Sequence, residues 1–231
     1  MSATDPTVGL DPASAPAVVG LDPASAPAVV GLDPVVASVR EADHLAELLA
    51  ERLDALLGDP AQAAVVSTHP VRGPVPHVAL GVRLDPPIGM LLPDLLDALA
   101  ETLLPHCGAE GAGEIGVACG PHRRGLAALA SWAAAVEEES RRGMGGRAVV
   151  YPGRAALVGT LAVRDLVRLS AIDEVVGLAG SAVGSQDQVR TRDFVRPVWR
   201  DGRLLLPVQP ADGGMLVPYE TPSPTPCCAD H

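Results

Sequence analysis

Apolar positions along the chain follow two rhythms. From Ser38 onward, Leu45, Leu48, Leu49, Leu53, Leu56 and Leu57 recur every three or four residues, the spacing of one helix face. Ser38 followed by Glu41 has the form of a capping box, and Gly58 with Pro60 closes the run. A second helical stripe opens at Pro93, runs through Leu95, Leu96, Leu99, Leu103 and Leu104, and stops at Pro105. A third helix is expected from Pro121, placed as a first helical residue, to about Arg142, with Glu137, Glu138 and Glu139 as its solvated face. Gly143 to Gly146 breaks it. Between these stripes lie short β-type runs at Ala64 to Thr68, His77 to Leu84 and Glu114 to Cys119.

Beyond Gly146 the pattern tightens. Arg147 to Tyr151 and Ala155 to Thr160 read as strands, Val163 to Ser170 as a short helix, and Glu174 to Ala179 as a strand. Asp201-Gly202 suits a hairpin turn after Trp199, and Arg203 to Val208 reads as an edge strand because it contains Pro207. The strand–helix–strand passage from Arg147 to Ala179 resembles small ferredoxin-like modules in rhythm alone, which implies a split βαβ fold and no function. The expected fold class is α/β or α+β: one layered domain of alternating short strands and helices over residues 38–208, ferredoxin-like in its second half, with a sub-boundary near 143–146.

The two ends depart from this pattern. Gly9-Leu10-Asp11-Pro12 recurs at Gly20 to Pro23 and Gly31 to Pro34, a period of eleven residues. Two prolines in each full copy exclude a coiled coil, so residues 1–37 read as a disordered tail. Residues 209–231 are rich in proline and read as an extended arm.

Composition narrows the function. All 17 basic residues are Arg, against 28 acidic ones, for a net charge of −11. The absence of Lys excludes a Walker A loop and Schiff-base chemistry. The negative charge argues against nucleic-acid binding, which needs cations on phosphates. Neither a secretory leader nor an apolar run long enough to cross a bilayer is visible, so a cytoplasmic protein away from membranes is expected. Four Cys are too few for a disulfide scaffold.

The candidate chemistry is sulfur and imidazole. The chain closes on Cys227-Cys228-Ala229-Asp230-His231, whose thiols and imidazole are ligands for zinc, copper(I) or an iron–sulfur cluster, or a redox thiol pair. Cys119-Gly120-Pro121-His122 has Cys-x-x-His spacing, so an arm folded back would close a metal site from Cys119, His122, Cys227 and Cys228, with His231 as an alternative imidazole. Cys119, placed before a helix start, is also a candidate catalytic nucleophile with His122 as its base, and Arg123 with Arg124 could hold an anion there. His106-Cys107 is a second such pair. Three readings follow: an accessory protein with a metal-binding or redox arm, a thiol-dependent enzyme at Cys119, or an acidic adaptor. The first is favoured, with a protein partner and without catalysis.

Overall fold

The computed structural model describes residues 27–57, 64–84, 92–107 and 114–222. Within them the chain is a mixed α/β fold: helices pack on a long, mostly antiparallel sheet. The first half runs β1 (Ala28–Val36), α1 (Val39–Leu57), β2 (Val65–Val71), β3 (His77–Leu84), α2 (Leu92–Leu103), β4 (Gly116–Cys119), β5 (His122–Arg124) and α3 (Ala127–Arg142). Its strands lie in the order β5-β4-β1-β3-β2, every neighbouring pair antiparallel.

The βαββαβ succession with order β4-β1-β3-β2 holds two interleaved split βαβ units in the first half, whereas a split βαβ unit is expected of the second. Its first strand, β1, falls within the stretch expected to be a disordered tail. The third repeat copy, Gly31 to Pro34, is the centre of this strand, where Leu32 and Asp33 are fully buried. Pro34 is tolerated because the pairing register with β3 shifts between Leu32 and Val36, and Val35 turns through φ 54°. A bulge needs no ladder hydrogen bond from the proline. Residues 1–26, with the first two copies, lie outside the described residues.

Alternation along the strands divides the sheet into two faces. Val30 and Leu32 of β1, with Val78, Leu80, Val82 and Leu84 of β3, meet Leu45, Leu49 and Leu53 of α1 and Leu95, Leu96 and Leu99 of α2. Ser38 starts α1 as expected: its hydroxyl accepts the Glu41 N–H at 3.2 Å. The opposite face carries α3 on β1, β3 and β4. Here the sheet presents Gly31 and Gly116, and α3 sits directly on their backbone. A Cβ on Gly31 would lie 1.9 Å from the Ala133 carbonyl oxygen, and one on Gly116 2.3 Å from the Leu129 backbone.

The second half comprises β6 (Arg147–Val150), β7 (Thr160–Ala162), α4 (Val163–Leu169), β8 (Glu174–Gly177), β9 (Gln188–Arg190), β10 (Val198–Arg200), β11 (Arg203–Pro210) and β12 (Leu216–Pro218). Gly143 ends α3 in the left-handed region, as expected of a terminating glycine. The sheet nevertheless continues across this point, because β6 pairs with both β2 and β10. A separate core gathers Tyr151, Leu166, Ile172, Leu204 and Leu206.

Three expectations for this half are corrected. Arg154–Ala156 forms a short 3-10 turn, leaving only Thr160–Ala162 as strand. The strands flanking α4 are not ferredoxin-like: β7 pairs β9, β8 pairs β11 in parallel, and β9, β12 and β11 separate them. Finally, β11 is interior. Pro207 is accommodated where the partner changes, between Leu205 opposite β10 and Val208 opposite β12. The Asp201-Gly202 hairpin forms as expected, both residues at positive φ. The expected arm is also shorter, since β11 and β12 carry ordered pairing to Pro218. None of the described helices is long and apolar enough to cross a membrane.

Candidate functional site

Cys119 and His122 close a hairpin rather than opening a helix. They face each other in the β4–β5 register, with Gly120 turning at φ 54°. Helix α3 begins only at Ala127, so the expected helix start at Pro121 is wrong and its dipole does not act on Cys119. The extra residues go into β5, a three-residue strand held by Glu137. That carboxylate, only 2% exposed, accepts the Gly120 N–H at 2.7 Å and pairs with Arg123 and Arg141. The expected solvated face of α3 therefore contains a buried acid.

Cys119 packs into the core beneath α1 and α2. Burial, reinforced by Glu137, pushes its thiol up to about 11, opposite to the shift that activates a nucleophile. His122 is exposed. Arg123 donates to the Gly120 and His122 carbonyls besides facing Glu137, and Arg124 pairs with Asp97. Both guanidinium groups are thus engaged by the protein itself. At the end of α2, the Cys107 thiol donates to the Leu103 carbonyl at 3.6 Å and is pushed up by burial and then by Asp33.

No three His, Cys, Asp or Glu side chains among the described residues are placed to hold a metal. Cys227, Cys228 and His231 lie outside the described residues. Glu220, near the end of the described chain, is held by an ion pair. Arg147, at the start of β6, donates through Nε to Glu220 at 2.7 Å and through Nη2 to Asp43 of α1 at 2.9 Å. Burial alone would lower its pKa, but the bonds to Asp43 and Glu220 more than offset this and raise it. Arg196 also reaches Asp43, at 3.4 Å, and its guanidinium stacks 4.3 Å from the Phe194 ring centre. This network ties α1, β6 and the end of the described chain together. Close by on α1, the ring of His44 meets that of His106 edge-on, centroids 6.0 Å apart.

Sequence reasoning missed two buried histidine networks because each draws on residues far apart in the chain. In the first, His69 of β2, 1% exposed, bridges sheet and α3. Its Nδ1–H donates to Glu139 at 3.0 Å, and its Nε2 lies 2.9 Å from the Ser67 hydroxyl and 3.1 Å from that of Ser140. In the second, the Nδ1–H of His77 donates to the Val75 carbonyl at 2.8 Å while Nε2 meets Asp33 at 3.1 Å. Asp33 in turn accepts the Val35 N–H of the bulge. The only sequence signal was period two: Ser67, His69 and Val71 share one strand face.

The first network has the bonding order of a hydrolytic triad: hydroxyl, imidazole, carboxylate. It lacks the room for a substrate. A Cβ on Gly81 would lie 2.3 Å from Ser140 Oγ, 2.9 Å from His69 Nε2 and 3.1 Å from Ser67 Oγ. Both serines are buried, so the network fastens α3 to the sheet instead. Compared with models of known protein families, with characterised proteins and with solved structures, the chain matches none.

Proposed function

We propose that the protein is an accessory factor whose C-terminal arm binds a soft metal ion through Cys227 and Cys228, with the α/β domain acting as its mount. One observation carries this reading: the Arg147–Glu220 bond, inside a partly buried ion network, fixes the arm's root at residue 220. The sequence has four cysteines, and the fold packs Cys107 and Cys119 against the core, where burial keeps them protonated. The thiols left for metal chemistry are those seven and eight residues beyond the anchored Glu220. Thiolates select zinc or copper(I), and a pair of soft donors close in sequence to a fixed root suits transfer of such an ion to a protein partner.

Elemental analysis of anaerobically purified protein, with a thiol count on the same sample, tests this. The expected result is about one equivalent of zinc or copper, lost in the Cys227→Ser/Cys228→Ser variant while the circular dichroism spectrum is unchanged. Metal-free protein that takes up neither ion on reconstitution would overturn the reading.

A further inference from the structure

We propose that Asp33 and His77 form a proton lock under α3. The folded chain traps between them one proton that the unfolded chain does not hold at mildly alkaline pH, so the sheet loosens as the solution turns alkaline. Hydrogen-bond geometry carries the inference. His77 Nδ1 lies 2.8 Å from the Val75 carbonyl oxygen, which only accepts, so Nδ1 bears a hydrogen. His77 Nε2 lies 3.1 Å from Asp33 Oδ2. An imidazole with its one hydrogen on Nδ1, beside an ionised carboxylate, would set two lone pairs against each other there. A second hydrogen therefore lies between Nε2 and Oδ2; it belongs to the pair, whichever atom bears it.

The surroundings offer the pair no other countercharge. Asp33 is fully buried and His77 is 8% exposed. Asp33 stands opposite Gly116, and His77 stands four residues before Gly81, so both lie on the face that α3 covers. The nearest part of α3 is the Leu129–Ala130 backbone over Gly116, and its buried acid Glu137 is engaged by Gly120, Arg123 and Arg141. On β2, Val71 faces His77, and His69 of the same face is bonded to Glu139. At the end of α2, burial and then Asp33 push the Cys107 thiol up, so it stays neutral. Among the described residues Asp33 has no ion-pair partner besides His77. A carboxylate left there without the proton would be a buried, uncompensated charge.

The same carboxylate shapes the central strand. Asp33 Oδ1 accepts the Val35 N–H at 3.1 Å, and Val35, a β-branched residue, is strained at φ 54°. Repulsion between Asp33 and His77 would pull on the bond that keeps this bulge. The direction follows from linkage. Above about pH 6.5 an unfolded imidazole is neutral and an unfolded aspartate is ionised, so the folded pair holds one proton more. Its stabilisation is complete below that value. Above it the folding constant falls about tenfold per pH unit while the proton stays bound.

The test is urea unfolding of the full chain from about pH 7 to about pH 8.5, wild type against Asp33→Asn, a range above the ordinary imidazole value. The asparagine amide can donate to Nε2 of a neutral His77 while its oxygen still accepts the Val35 N–H, so the variant needs no trapped proton. Every other titrating group, the thiols included, is common to both chains and cancels. The ratio of folding constants, wild type over variant, should fall about tenfold per pH unit. A ratio that changes less than about twofold over the whole range overturns the lock. Should Asp33→Asn fail to fold, the wild type alone decides. Calorimetric unfolding at about pH 7.5, in buffers of unlike ionisation enthalpy, should release about one proton per chain, and a release near zero overturns the lock.

Discussion

The two faces of the first-half sheet are covered in opposite ways. Toward α1 and α2 the sheet offers Val and Leu side chains, and the helices stand off at the distance those side chains require. Toward α3 it offers Gly31, Gly81 and Gly116, and the helix rests on backbone, pinned by the His69 and Glu137 bonds. An apolar layer of large side chains can rearrange around a changed volume. A backbone-to-backbone contact has nothing to rearrange. The α3 face thus gains its stability from fit and from a few directed bonds, and the other face from buried area.

The sharpest test of that contrast is a pair of substitutions on neighbouring β1–β3 positions. Gly31→Val should cost about 3 kcal/mol or more, since its side chain meets the Ala133 carbonyl. Leu80→Met, on the other face, should cost less than about 1.5 kcal/mol. Urea unfolding of both variants measures the difference, and equal losses would erase the distinction. Next in size is His69→Ala. It leaves Ser67 and Ser140 without their shared partner and should cost about 1–3 kcal/mol by the same assay.

A third prediction separates buried from arm thiols. Cys119 has a folded-state pKa raised to about 11, so its contribution to stability is complete below the ordinary thiol pKa and is lost as pH rises through the folded value. At pH 8 a thiol reagent should modify Cys227 and Cys228 quickly in metal-free protein and Cys119 only on unfolding; mass spectrometry of labelled peptides reads this directly. The smallest effect concerns Glu139, whose carboxyl is held below the usual range chiefly by its hydrogen bond to His69. Its stabilisation is present above the ordinary carboxylate pKa and lost as pH falls through the lowered one. Because the side chain is 54% exposed, Glu139→Gln should change the unfolding free energy by less than about 1 kcal/mol, and only above about pH 4.

Much of the α1/α2 face was legible in the sequence, since its leucine stripes and the His77–Leu84 alternation each carry their own period. The α3 face was not. Its signal is an absence of side chains at Gly31, Gly81 and Gly116, and small residues look alike in a close contact and in a loop. The split βαβ order was misplaced because Pro34 and the repeat made β1 read as unstructured, whereas pairing with β3 and β4, the packing of Val30 and Leu32, and the Asp33–His77 contact make that stretch a strand. The candidate site divides similarly. Sequence named Cys227, Cys228 and His231 from their spacing alone, and it named Cys119 with His122, which the β4–β5 hairpin sets opposite each other with the thiol buried and the imidazole exposed. It could not find Asp43, Arg147 and Glu220, which are 73 or more residues apart and meet only where α1, β6 and the end of the described chain pack together.

The repeat that ends in β1 has a consequence for how this chain tolerates change. Residues 17–23 read Ala-Val-Val-Gly-Leu-Asp-Pro, the same seven residues as 28–34, so two stretches of sequence qualify for one place in the sheet. Their following residues decide between them: Val36 fills the core, where the earlier copy would bring Ser25. Loss or gain of one eleven-residue unit upstream therefore hands the central strand an unchanged sequence. The length of the leading segment can drift over generations while the central strand of the first half stays constant.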